Sequence, residues 1–188
     1  MDSKIILLVG VPGSGKTFLA KSLSEKFNCE ILNRDLIRTS IFPKKYINHS
    51  KSQNNFAFAV LFKVLKQLIS NNRPEYIIVD GKPFSKNYEI EEFKNEIDKL
   101  SAKLIIIHVT ASIDIISSRL QNDLKNQYPL YRDPKKNSKI YNTQLMINEF
   151  DKIIFPHIII DTSSPIKEVT KNCFNKINEF IKWQTIQN

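Results

Sequence analysis

Lys16 and Thr17 close the octapeptide GVPGSGKT, residues 10–17, which holds Gly10, Gly13 and Gly15, three of the four glycines in the 188-residue chain. The fourth, Gly81, ends the run IIVDG. A lysine and a hydroxyl directly after a glycine-dense turn suit the binding of a polyphosphate. Glycines admit positive φ and let backbone N–H groups approach an anion that a Cβ would hold off. The residues match GxxxxGK[ST], with the strand-like KIILLVG before them and the amphipathic KTFLAKSLSEKF after, so the helix should open with its N-terminus toward the phosphates. On this reading Gly10, Pro12, Gly13, Ser14, Gly15, Lys16, Thr17 and Phe18 bind ATP. Lys16 reaches the β- and γ-phosphates, and the Thr17 hydroxyl ligates Mg²⁺.

Two aspartates extend the pattern. Asp80 ends the run YIIVD, where an acidic residue would assist the metal shell. Gly81 follows it in place of a water-activating glutamate, and no guanine-reading NKxD pattern occurs, so a motor or a GTPase is not expected. Asp35, in LNRDLIR, follows the second apolar run, at the sheet edge where ligands bind in open α/β folds. Its carboxylate can take the proton of a hydroxyl lined up with the γ-phosphate. It can also serve as the N-cap of the next helix; beside a phosphate loop the base reading takes precedence. Arg38, three residues on, shares a helical face with Asp35 and can grip a phosphate or carboxylate with a fork of donors.

These residues need a scaffold that brings loop ends together. Five apolar, β-branched runs recur at 4–10, 29–33, 75–81, 102–109 and 157–162, with helical patterns at about 16–27, 35–41, 51–71, 86–100, 112–127, 138–151 and 165–183. Continuous rather than alternating apolar runs suit strands covered on both faces, and the alternation predicts a single α/β domain with a doubly wound parallel sheet. Within 51–71, FAFAVLFKVLKQLI is apolar nearly all round in its first half. It is expected to be buried, or to form a dimer interface, so the chain is expected to be a monomer or a homodimer.

Hydrophobic content of 41% and charged content of 25% are those of a globular protein, and the longest apolar run, FAFAVLF, cannot span a bilayer. Without a basic leader or cleavage site at the N-terminus, a cytoplasmic protein is expected. Cys29 and Cys173 lie far apart in apolar contexts and read as free thiols; three scattered histidines lack zinc-ligand spacing. The net charge of +9 favours phosphate-bearing partners, nucleic acid among them, without naming one.

GVPGSGKT together with NRDLIR resembles the kinase domain of bacteriophage 5′-hydroxyl polynucleotide kinases. It also resembles the wider group of AAA-type kinases around them, which includes gluconate kinases, chloramphenicol phosphotransferases and zeta toxins. The resemblance is specific over residues 4–38 and architectural beyond. It implies a five-stranded sheet of order 2-3-1-4-5, Mg·ATP as donor and a hydroxyl acceptor. In the phage enzymes the matching aspartate is the general base and the arginine one turn later contacts the substrate phosphate, which implies those roles for Asp35 and Arg38. The stretch VDGKPFSK stands where the phage enzymes carry Asp-Thr-Asn; with YRDP and HIIIDTSSP, it is more similar to bacterial kinases of the wider group.

Kinases of this architecture close a basic lid over the nucleotide, here expected at about 119–139. Arg119, ending DIISSR, and Arg132, in PLYRDP, are its candidate phosphate contacts, among Lys125, Lys135, Lys136 and Lys139. Lys44, Lys45 and Tyr46 could meet a phosphate and stack a base, or form a solvated loop. Lys82 would point into the cleft, and His108 would sit in the core. The expected activity is transfer of the γ-phosphate to a hydroxyl of a small molecule or nucleotide. The alternatives are a 5′-hydroxyl polynucleotide kinase and a nucleotide-binding regulatory or toxin-like module.

Overall fold

The five apolar runs form strands β1 (Lys4–Val9), β2 (Glu30–Asn33), β3 (Tyr76–Asp80), β4 (Lys103–Thr110) and β5 (Ile158–Asp161) in a computed structural model that describes residues 2–48, 50–125 and 143–187. Every pairing is parallel, in the order β2-β3-β1-β4-β5. The helices described are α1 (Lys16–Phe27), α2 (Arg34–Ile41), α3 (Lys51–Asn71), α4 (Asn87–Asp98), α5 (Ile113–Lys125), α6 (Thr143–Asn148) and α7 (Ile166–Gln187), with a 3₁₀ turn at Lys44–Tyr46.

Burial on both faces explains the unbroken apolar strands. Ile5, Leu7 and Val9 of β1 join Leu61 and Leu65 of α3 and Phe93 and Ile97 of α4 in one core. Ile6 and Leu8 join Leu19 and Leu23 of α1 and Cys173 and Ile177 of α7 in the other. Each such side chain, fully buried, contributes about 1.5–3 kcal/mol, so the central strand is the best-anchored element. The phosphate loop and the strand ends beside it hang from that anchor.

Two expectations give way. α3 is not buried all round: its buried positions are Ala57, Leu61, Leu65 and Ile69, a single stripe spaced by four residues, while Phe56 is 56% exposed. The stripe runs through both halves of the helix, so one face packs on the sheet and the other stays toward solvent. β5 is not covered on both faces either. Its residues alternate buried and exposed, and Ile159 is 54% exposed, because an edge strand here packs on α7 from one side only. The thiols of Cys29 and Cys173 are free, half-buried and buried respectively. Burial pushes them up to about 11 and about 12, which keeps both protonated and poorly nucleophilic at neutral pH. Among the described residues no helix is long and apolar enough to cross a membrane.

Candidate functional site

The loop between β1 and α1 turns on Gly10, Gly13 and Gly15, with φ of 150°, 84° and 91°. Gly10 shows why. A Cβ there would stand 2.3 Å from the Val109 carbonyl oxygen and 2.9 Å from Ser14 Oγ. We expect Gly10→Ala to cost about 1–3 kcal/mol of stability, as forced overpacking does, read as a lower urea midpoint. Gly15, left-handed, precedes α1 with no side-chain cap, so the first-turn amides of the helix are not consumed by a capping oxygen. Ser14 is buried, and its Oγ has no hydrogen-bond partner among the described residues. Lys16 lies across the loop, its Nζ donating to the carbonyls of Gly10 at 2.7 Å and Val11 at 2.9 Å. Pro12 is half-buried, and Phe18 is 74% exposed.

Opposite the loop, Asp80 is buried at the end of β3. Its Oδ2 accepts from the Thr17 hydroxyl at 2.9 Å and from Asn33 Nδ2 at 2.8 Å. Its Oδ1 is buried with no protein partner among the described residues. A buried carboxylate oxygen without a donor is costly unless a cation or water satisfies it. A hydroxyl beside two carboxylate oxygens also suits a hard cation such as Mg²⁺. Thr17 and Asp80 therefore fit the metal expected of them.

The helix carrying Asp35 starts directly from β2. The N-cap is Asn33, whose Oδ1 accepts from the N–H groups of Asp35 at 2.9 Å and Leu36 at 3.0 Å. Capping is thus not the task of Asp35, which sits inside the first turn with its carboxylate directed elsewhere. Asp35 Oδ1 accepts from Arg34 Nε at 3.2 Å, Arg34 Nη2 at 2.9 Å and Arg38 Nη1 at 2.8 Å. Arg38 is the largest of the fully buried side chains, 1% exposed, and its Nη1 also donates to Asn54 Oδ1 on α3 at 2.6 Å. Nε and Nη2 of Arg38 have no partner among the described residues. The same-face spacing foretold the Asp35–Arg38 pair; it could not foretell that the arginine would be sunk between two helices.

Arg119 was expected in a lid. It lies on α5 and faces the base of the loop: Nη1 donates to the Gly13 carbonyl at 3.2 Å and Thr162 Oγ1 at 2.9 Å, and Nη2 to the Thr162 carbonyl at 2.8 Å. The Thr162 hydroxyl in turn lies 2.8 Å from the Ser14 carbonyl and 3.2 Å from that of Thr110. Among the described residues the hydrogen bonds of Arg119 are to neutral acceptors, so in this arrangement it braces the phosphate loop against the end of β5. Arg132 lies outside the described residues, as do Lys135, Lys136, Lys139 and the rest of the expected lid beyond residue 125.

Lys82 does not point into the cleft. Its Nζ pairs with Glu89 Oε1 at 3.2 Å and stands 4.7 Å from the ring centres of both Phe58 and Phe84. The Lys44–Tyr46 turn is exposed, with Lys45 Nζ 4.9 Å over the Tyr46 ring. His108, beside Val9 in register, stacks flat on Phe150 at 5.3 Å. Burial, then the charges of His157 and Lys16, push its pKa down to about 4. The unfolded chain, with an ordinary histidine near 6.5, therefore binds more protons between those values. Stability is retained above about pH 6.5 and lost as pH falls toward 4. In His108→Phe the drop in urea midpoint between pH 7 and pH 5 should shrink.

Asn33, Arg34, Asn54 and Thr162 escaped the sequence reading. Asn33 carried a signal, an amide at a strand end two residues before the candidate base. Thr162 and Asn54 reach the site only through the fold.

Residues 5–127, more than half of the chain, match the family described as AAA domain. The chain belongs to that AAA domain family. No curated protein matches it. Solved structures resemble this AAA domain over nearly its whole length. A candidate kinase from Chloroflexus aurantiacus J-10-fl is 16% identical with a TM-score of 0.74, covering 93% of this chain and 98% of that one. Mycobacterium tuberculosis APS kinase, in complex with AMPPNP and APS, is 11% identical with a TM-score of 0.68, covering 94% and 98%. A gluconokinase from Sinorhizobium meliloti 1021 is 13% identical with a TM-score of 0.61, covering 100% and 97%. At these identities the likeness is one of fold, and that fold is the kinase-like P-loop arrangement with sheet order 2-3-1-4-5.

Proposed function

We propose that this AAA domain is a kinase that transfers the γ-phosphate of Mg·ATP to a hydroxyl of a small molecule or nucleotide. One observation carries the reading. A continuous hydrogen-bonded path runs from Thr17 of the phosphate loop through Asp80 to Asn33 and into the helix that bears Asp35. The donor side and the acceptor side of a phosphoryl transfer are thereby built into one unit. The structural likeness to an APS kinase in complex with a nucleotide analogue and to a gluconokinase supports the same class.

In this proposal the loop amides and Lys16 hold the triphosphate, and glycine at 10, 13 and 15 lets the backbone come close. Mg²⁺, for which Thr17 and Asp80 are the ligand candidates, would neutralise phosphate charge when bound. Asp35 accepts the proton of the acceptor hydroxyl as that oxygen forms its bond to the γ-phosphorus. The bond from γ-phosphorus to the bridging oxygen breaks, and ADP leaves with its electron pair. Arg34 and Arg38 hold Asp35 through one oxygen, and Nε and Nη2 of Arg38, buried without a partner among the described residues, would serve an anionic group of the acceptor only if α2 and α3 part to admit it. Arg119 would steady the loop through Gly13, and Arg132 would supply charge from the lid.

The experiment is a radiolabelled γ-phosphate transfer screen over nucleosides, sugars, amino alcohols and 5′-hydroxyl oligonucleotides. Label on one of the small acceptors supports the reading. The exposed Tyr46 with Lys45 above its ring favours, as a second reading, a polynucleotide acceptor. Label only on oligonucleotides, with steep salt dependence, would select it. Phosphate release indifferent to every acceptor would overturn both.

A further inference from the structure

The Asn33 amide works in two directions at once. Its oxygen accepts the first-turn amides of Asp35 and Leu36, while its nitrogen donates to Asp80 Oδ2 across the β2–β3 pair, where Asn33 and Asp80 are partners in register. Few side chains can do both. Aspartate has no donor for Asp80, and serine or threonine caps a helix but is too short to reach the neighbouring strand as well. The same oxygen of Asp80 accepts the Thr17 hydroxyl.

Gly81 closes the junction. A Cβ there would lie 2.9 Å from Asn33 Oδ1, 2.9 Å from the Arg34 nitrogen and 3.1 Å from that of Asp35. With φ at 91°, the peptide after Asp80 therefore packs directly on the start of α2. The fourth glycine of the chain thus serves the same site as the other three. Asn33 itself is 8% exposed, so its bond to the Asp80 carboxylate is a charge-assisted one away from bulk water.

We propose that Asn33 is a positioning residue: it ties the carboxylate of Asp80, on the nucleotide side, to the first turn of the helix carrying Asp35, on the acceptor side. The inference rests on the kinase reading, in that it gives the two aspartates those sides. Its consequence is that nucleotide binding at the loop is felt in α2.

Asn33→Ser keeps an oxygen for the helix amides and removes the donor to Asp80; Asn33→Ala removes both. The full chain and the two variants are compared by melting, by calorimetric affinity for Mg·AMPPNP, and by hydrogen exchange of residues 34–41 with and without that nucleotide. The expected result is that nucleotide slows exchange in α2 of the wild type but not of Asn33→Ser, which still binds the nucleotide and melts below the wild type because Asp80 loses a buried donor. Transfer to an acceptor found in the screen should fall about 10- to 100-fold in Asn33→Ser, as for a small misplacement of reacting groups, with KM for ATP unchanged. A capping role alone predicts that serine restores what alanine loses, in exchange and turnover alike, and that result overturns the proposal. Wild-type exchange indifferent to bound nucleotide overturns it too, and decides the matter even if Asn33→Ser does not fold. Failure of the wild type to bind Mg·AMPPNP would bring down the kinase reading and this inference together; binding without a response in α2 would bring down the inference alone.

Discussion

Asp35→Asn is expected to lower γ-phosphoryl transfer by about 10²- to 10⁴-fold, the usual contribution of a positioned general base, while ATP affinity measured by calorimetry stays near that of the wild type. The substitution is nearly isosteric. Its amide oxygen can still accept from Arg34 and Arg38, as Oδ1 of Asp35 does now at 2.9 and 2.8 Å. What disappears is the capacity to take a proton from the acceptor hydroxyl. Arg38 would also lose the ionised partner of a guanidinium that is almost wholly buried, and a buried charge without its counter-ion is destabilising. Melting measured alongside separates that effect from chemistry. Full turnover in a folded Asp35→Asn protein would remove Asp35 from the base role.

Lys16→Ala should reduce kcat/KM for ATP on the order of 10²- to 10³-fold, as loss of one preorganised cationic donor to a transferring group does. The ammonium already lies within the loop, held by the carbonyls of Gly10 and Val11. Both of those hydrogen bonds are to loop oxygens, so the fold should tolerate their loss. The decisive comparison is nucleotide affinity and turnover at unchanged melting temperature. A variant with wild-type kinetics would mean that the loop does not bind the triphosphate through this lysine.

Local chemistry made part of this site legible. The glycines, Lys16 and Thr17 are contiguous, and their spacing has one good physical use. Asp35 and Arg38 stand three apart at a helix start, so their pairing follows from helical geometry. The strands were readable because burial on two faces leaves an unbroken apolar run, and β5 misled for the same reason: three isoleucines look alike whether one face or two is covered. α3 misled in the opposite way, since its apolar first half disguised a one-sided stripe.

Other features depended on distant segments meeting. Arg119 reads as a lid cation in sequence, yet Thr162, forty-three residues later, captures it together with the Gly13 carbonyl. Lys82 follows Asp80 and Gly81, yet two phenylalanines and Glu89 draw it aside. Arg38 is buried because Asn54 and the rest of α3 close over it.

By itself the sequence determined the phosphate loop, the alternation of strands and helices, and the identity of the acidic and basic groups at the strand ends. Those features depend on residues within a few positions of one another, where backbone geometry dictates who meets whom. Tertiary structure alone decided which oxygen of Asp80 is shared, what Gly81 rests against, and how the start of α2 is bound to the loop. Each of those contacts joins segments that only the order of strands in the sheet makes neighbours.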